Sequence, residues 1–292
     1  MSAWQGKSKG TSAGYKIFVF LIRTAGKKGA YILLRFVAFY YFIFSPKSTR
    51  PILQFYQNRF GAGRLKSLRM LYANYYCLGQ CLIDKIALMT ESDTDYTFDF
   101  DGEEHLREMV NQGKGGILLS GHLGNWEAAG HLLKRLGTRI NVVMFDGEDA
   151  RIKEYMEGVT GQKKFNIIYI RPDLSHIYEM TQALQNNELV CMHADRFLPG
   201  NKTVDVSFFS ATARLPEGPF LMALKLKVPV AFVFAFKESD RHYHFYSTEL
   251  KTFDTKRGDT VADVSQLYAA HLEKMTRLYP VQWFNYYDFW KA

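Results

Sequence analysis

The chain has 292 residues, 47% of them hydrophobic and 15% aromatic, with 8 prolines and a formal net charge of +8. That apolar content excludes a disordered, collagen-like or low-complexity chain, and the length fits one large domain or two modest ones. Three cysteines, Cys77, Cys81 and Cys191, are too few for a disulfide framework and have no His or Cys cluster beside them to complete a zinc site, so they read as small buried hydrophobes in a reducing compartment.

The positive charge is concentrated at the N-terminal end. The first acidic residue is Asp84, and residues 1–83 hold 13 lysines and arginines, so this arm is +13 and the remainder −5. The arm is also apolar, with runs at 17–22 and 30–44 (AYILLRFVAFYYFIF), the second interrupted only by Arg35. A spanning helix needs roughly 20 apolar residues. This shorter, charged run fits a helix lying in the headgroup region of an anionic membrane, where each Lys or Arg is worth about 1 kcal/mol. A tilted span over 29–44 and a core helix with a solvated basic face are the alternatives. Nucleic acid is not an expected partner, because the arm has no RNP-like pattern, finger spacing or homeodomain-like signature. A cleaved signal peptide is not expected either, since the run ends in Phe44-Ser45-Pro46 without a small-x-small site.

From about residue 99, short apolar runs alternate with amphipathic stretches. Residues 115–120, 140–145, 167–170, 189–193 and 228–236 read as buried strands. Residues 125–136, 149–158, 174–186 and 216–225 read as helices, with Pro216 in a first turn. Residues 242–249 add a strand and 261–278 a closing helix. Strands separated by helices imply an α/β fold, a mainly parallel sheet flanked by helices with right-handed crossovers. Two parts are expected: a membrane-associating helical segment over 1–90 and an α/β domain over 91–292.

Sites in such sheets gather at the carboxyl ends of strands. After the first strand stands Gly121-His122-Leu123-Gly124-Asn125-Trp126-Glu127. His122 and Glu127 are five apart, roughly 140° off a common helix face, so they meet only if His122 precedes the first turn; Gly121 and Gly124 permit that. A histidine oriented by a carboxylate is suited to general-base work on a hydroxyl, and such pairing is expected to raise its pKa. The plainer reading is a helix-capping loop in which Glu127 favours the helix N-terminus.

These residues carry a resemblance. GHLGNWE resembles the HxxxxD/E signature of glycerolipid acyltransferases, and its Asn-Trp-Glu ending resembles the late acyltransferases of lipid A biosynthesis, the lauroyl/myristoyl transferase family. Further down the chain, Arg171-Pro172-Asp173-Leu174 resembles the family's Arg-x-Asp-Leu block. Asn187-Glu188-Leu189-Val190 is similar to its Gly-Glu-x-Val, His193-Ala194-Asp195 to its Pro-Asp-x-Asp, and Val206-Ser207-Phe208-Phe209-Ser210 to its Val-Pro-Phe-Phe-Gly. The likeness spans about residues 110–235. Phe197 replaces the second aspartate, Ser207 the proline, and the tail over 282–290 lacks the Trp-x-His-x-Arg-Phe pattern. These departures resemble a branch near the acyltransferases of Bacteroidetes.

The resemblance implies transfer of an acyl chain from a thioester, acyl carrier protein or acyl-coenzyme A, to a hydroxyl of a membrane lipid acceptor at the cytoplasmic face of a bacterial inner membrane, without metal, organic cofactor or acyl-enzyme. It implies His122 as base, Glu127 as its orienting carboxylate, and Arg171 as binder of phosphate or oxyanion. Asp195 would position Arg171 or His122, and Asn125, Trp126, Arg196, Phe208 and Phe209 would bind substrate. The acceptor is of lipid A type or another glycolipid, with an amino-acid lipid or a polyene pigment lipid as alternatives. A hydrolase would be favoured by a G-x-S-x-G elbow, which Ser120-Gly121 lacks. A non-catalytic lipid-binding protein is the remaining rival. Pro216-Glu217-Gly218 reads as a helix start, and the histidines at 105, 131, 176, 242, 244 and 271 have no metal-ligand spacing.

Overall fold

Uninterrupted apolar runs bury both faces of a strand, and here they collect into one sheet. The computed structural model describes residues 12–89, 95–126, 128, 134–145 and 165–290. The strands are β1 (Thr97–Asp101), β2 (Gly116–Ser120), β3 (Ile140–Met144), β4 (Asn166–Tyr169), β5 (Leu189–His193), β6 (Thr203–Phe208), β7 (Ala211–Pro216), β8 (Val230–Lys237) and β9 (His242–Ser247). Seven of them form a sheet in the order β1-β9-β8-β2-β5-β3-β4, while β6 and β7 make a separate hairpin. Every neighbouring pair in the sheet is parallel except β8 with β9. Ser120 of β2 pairs with His193 of β5, so the residues that follow these two strands emerge side by side at one edge.

The helices are α1 (Ser12–Phe44), α2 (Pro46–Gln54), α3 (Arg64–Met89), α4 (Glu103–Asn111), α5 (Ser175–Gln185), α6 (Glu217–Leu226) and α7 (Val261–Leu278), with a π-helical turn at Phe55–Arg59. α1 is apolar on two faces. Val19, Ile22, Ala30, Tyr31 and Leu34 are buried with Ile83 and Ile86 of α3, while Phe20, Ile32, Phe36, Phe39 and Phe44 are exposed. A helix apolar all round is at home in a core or in lipid. Gly26, at φ 66°, kinks α1. No single described helix is long and apolar enough to cross a membrane. Residues 13–44 and 46–59 together form a bent pair of that composition, broken by 85°.

The main core does not stop at residue 90. Phe55, Tyr56 and Leu71 pack in the same cluster as Ile117 and Leu119 of β2 and Phe220 of α6. A second tie between arm and sheet is polar. Asp84 of α3, fully buried, accepts from Tyr31 (2.5 Å) and Tyr96 (2.8 Å) through Oδ1, and from Lys237 Nζ (2.6 Å) and Tyr243 (2.6 Å) through Oδ2. Lys27 of the basic arm also turns inward, donating to the carbonyl of Asp240 at 2.8 Å.

Several expectations need revision. Pro216 closes β7 with an extended backbone and caps α6 from outside, because its fixed φ of −62° suits both. β1, α4 and the β6–β7 hairpin add elements that the apolar pattern did not reveal. The expected helix over 149–158, and most of that over 125–136, lie outside the described residues.

Candidate active site

β2 ends at Ser120, and the chain must turn sharply to present the next residue. A Cβ on Gly121 would meet Tyr268 Oη at 2.8 Å, and one on Gly124 would meet the Ala235 carbonyl oxygen at 2.0 Å, so glycine at both positions lets the loop lie flat on the sheet edge. The loop is pinned on two sides. Phe284 N–H donates to the His122 carbonyl (2.9 Å), Gly124 N–H to Gln282 O (2.9 Å), and Asn125 N–H to Ala235 O (2.7 Å).

His122 is held by Asp195, the second residue past β5. The backbone N–H of His122 donates to Asp195 Oδ2 (2.7 Å), and its Nδ1 lies 2.8 Å from Oδ1. With Nδ1 protonated toward the carboxylate, Nε2 carries the lone pair of the neutral ring, the arrangement a general base requires. The carboxylate that orients Nδ1 is therefore Asp195, for which the resemblance implied a hold on Arg171 or His122; Glu127, given the orienting role by its five-residue spacing, lies outside the described residues. Sequence spacing could not reveal the Asp195 contact, since it forms only when β2 and β5 pair.

The electrostatics also differ from expectation. Burial, and then the nearby Arg196 charge, push the His122 pKa below its ordinary value, outweighing the upward pull of Asp195. Burial pushes Asp195 up, yet His122 and the Arg196 charge hold its carboxyl well below the usual range. His122 is thus a neutral base beside a fixed carboxylate.

His193, which sequence reasoning did not single out, completes the cluster. Its ring lies 4.6 Å from that of His122, inclined by 34°, and Trp126 meets it edge-on at 5.2 Å. His122, His193 and Asp195 each offer one ligand atom within 4.8 Å of the others, the one group among the described residues able to take a metal ion. The Arg196 charge beside them opposes a cation.

Beside this cluster an apolar, open cavity runs along one face of the sheet. Trp126 and His193 belong to its wall with Val142, Cys191, Val233 and Phe234. Such a cavity suits a hydrocarbon chain.

Other expected site residues are placed differently. Arg171 follows β4 at the sheet edge, three strand spacings or about 14 Å from β2, and its guanidinium engages Glu179 (2.6 Å) and Ser175 (3.3 Å). Asn125 is buried and anchors the loop, donating to Tyr243 Oη at 3.0 Å. Arg196 donates through Nη2 to the Phe284 carbonyl and acts on His122 by charge. Phe208 and Phe209 are core residues. Phe208 packs 5.5 Å from Trp283, and Phe209 meets Phe55 at 5.2 Å, because the hairpin turn at Phe209-Ser210 directs both rings inward.

A model of the bacterial lipid A biosynthesis acyltransferases matches residues 13–292, from the kinked first helix through the site to the tail that pins it. The chain belongs to that family. Among curated relatives, the phosphatidylinositol mannoside acyltransferase of Mycolicibacterium smegmatis is 27% identical over 194 residues, 65% of this chain and 61% of the relative. The protein of that name in Mycobacterium tuberculosis H37Rv is 27% identical over 196 residues, 65% of this chain and 59% of the relative. The matched stretch thus spans about three-fifths of each relative's length. The 1-acyl-sn-glycerophosphate acyltransferase of Thermotoga maritima is similar over 87% of this chain and 97% of that chain, at 13% identity and a TM-score of 0.39, too loose a likeness to bear on function.

Proposed function

We propose that this member of the family transfers a fatty acyl group from an acyl carrier protein thioester to a hydroxyl of a membrane glycolipid at the cytoplasmic face of a bacterial inner membrane. The observation that carries the reading is His122, oriented by Asp195 at 2.8 Å, beside an apolar cavity. The cavity takes the acyl chain and brings the thioester carbonyl to the strand ends. Nε2 of His122 takes the proton of the acceptor hydroxyl as its oxygen attacks that carbonyl, and the imidazolium, stabilised by Asp195, returns the proton to the departing thiolate. No covalent acyl-enzyme forms, and no step draws on a metal or organic cofactor. Glu127, five residues after His122 in sequence, is assigned a supporting electrostatic role.

The exposed aromatic stripe of α1 and its exposed neighbours Arg23, Lys28 and Arg35 support docking on an anionic membrane. The relatives are named for phosphatidylinositol mannoside, a sugar-bearing lipid, which favours a glycolipid acceptor over an amino-acid or pigment lipid. Arg50, Arg64, Lys66 and Arg69 are exposed basic residues suited to an acidic carrier protein.

The test is to incubate the full chain with a glycolipid and either acyl-carrier protein or acyl-coenzyme A, and to read acylated lipid by mass spectrometry. Arg64→Glu with Arg69→Glu should raise the KM for the carrier-protein donor and leave that for acyl-coenzyme A unchanged. Equal losses with both donors would contradict the carrier-protein assignment.

A further inference from the structure

His193 is placed where the reaction asks for a second group. It ends β5 beside the end of β2, its ring forms part of the cavity wall, and it stands 4.6 Å from the ring of His122. The two rings are close enough to act on one carbonyl group. Their environments differ. His122 has Asp195 on Nδ1, whereas Nδ1 of His193 is buried and finds no hydrogen-bond partner among the described residues. A buried polar atom without a partner is unfavourable and uncommon, and a phenyl ring would fill the same space between Trp126 and His122 without that penalty. Nδ1 is out of reach of substrate, so Nε2 is the nitrogen at which the ring meets a ligand.

We propose that His193 is a second catalytic imidazole, which donates its N–H to the thioester carbonyl oxygen as that oxygen gains negative charge. The proposal rests on the reading of His122 as the base. Burial, and then the proximity of His122, push the His193 pKa down to about 3, so the ring stays neutral and does not compete for the acceptor's proton. A neutral imidazole acting as hydrogen-bond donor is a known device for polarising a carbonyl.

The step balances. The acceptor O–H gives its proton to His122 Nε2 as its oxygen bonds to the carbonyl carbon, and the C=O π pair moves to oxygen, where the His193 N–H meets it. On collapse the π bond re-forms, the C–S bond breaks, and the thiolate takes the proton from His122. His193 keeps its own proton throughout.

The experiment compares His193→Phe, which keeps a ring and loses the donor, with His193→Gln, which supplies an amide N–H, measuring kcat, donor KM and melting temperature. Removing one such donor lowers kcat by about 10²–10³-fold. The expected result is that loss in His193→Phe with donor KM and melting temperature near wild type, and recovery of roughly tenfold in His193→Gln. Should His193→Phe not fold, His193→Leu supplies the same comparison. A folded His193→Phe or His193→Leu with wild-type kcat overturns the proposal, as does a loss equal in the Gln variant and tracking melting temperature. His122→Ala, run in parallel, separates the two readings: if it is inactive while His193→Phe is fully active, the base stands and the second imidazole falls.

Discussion

Phe284 donates its backbone N–H to the carbonyl oxygen of His122 at 2.9 Å, so the tail of the chain is a wall of the loop that carries the proposed base. Gln282, two residues earlier, is buried and locks the tail to β8. Its Nε2 donates to Lys237 O (2.8 Å), and its Oε1 accepts from Lys237 N–H (3.0 Å). Gln282→Ala leaves both backbone groups of Lys237 unsatisfied at about 1–3 kcal/mol each, so a loss of about 2–6 kcal/mol is expected in denaturant unfolding. Unchanged stability would show that the tail does not hold the loop.

The Asp84 hub makes a sharper stability prediction. Lys237→Met leaves a buried carboxylate with only tyrosine donors, and Asp84→Asn leaves a buried ammonium unpaired. Each should lower stability by about 3–5 kcal/mol, while the double variant should lose less than the sum of the two. Additive losses would mean that the 2.6 Å pair does not act as a unit.

How much of this was legible in advance follows from physical range. The sequence marks residues 189–193 and 261–278 with their observed bounds, because one is an apolar run closed by His193 and the other opens with the Thr260–Asp263 capping box. β1 escaped because Asp99 and Asp101 alternate with Phe98 and Phe100 on a strand beside β9. The hairpin escaped because Phe209 and Ser210 adopt positive φ without the glycine or asparagine such turns favour. At the site, His122 was readable from its own loop. The twofold grip of Asp195, 73 residues away, and the neighbouring His193 ring arise from strand pairing, which no local spacing records. Arg171 was placed at the site by motif, and strand order puts it at the sheet edge.

The pH dependence follows from the charges around His122. Its pKa lies below the ordinary 6.5 because of burial first and the Arg196 charge second, so kcat/KM should rise with pH along a limb centred below that value. Arg196→Met removes the repelling charge, raises the pKa and moves the limb to higher pH. Asp195→Asn removes the upward pull and moves it to lower pH, with a large loss of rate from misorientation of the ring. A limb that stays in place in both variants would show that it does not report His122.

For the membrane, deleting the arm is a poor test, because Tyr31 and Leu34 are buried in the fold. Phe36 and Phe39 are 70% and 54% exposed. Phe36→Ser with Phe39→Ser should leave the melting temperature near wild type and weaken binding to anionic vesicles by about tenfold, and added salt should weaken wild-type binding. Wild-type sedimentation of the variant would remove α1 from the membrane contact.

The most direct measurement is turnover of His122→Ala with acyl-carrier protein and a glycolipid acceptor, at confirmed fold. A loss of roughly 10²–10⁴-fold, with no acyl group on the protein by intact mass, is the predicted result. Full activity in His122→Ala, or a trapped acyl-enzyme on serine or cysteine in the wild type, would contradict the account.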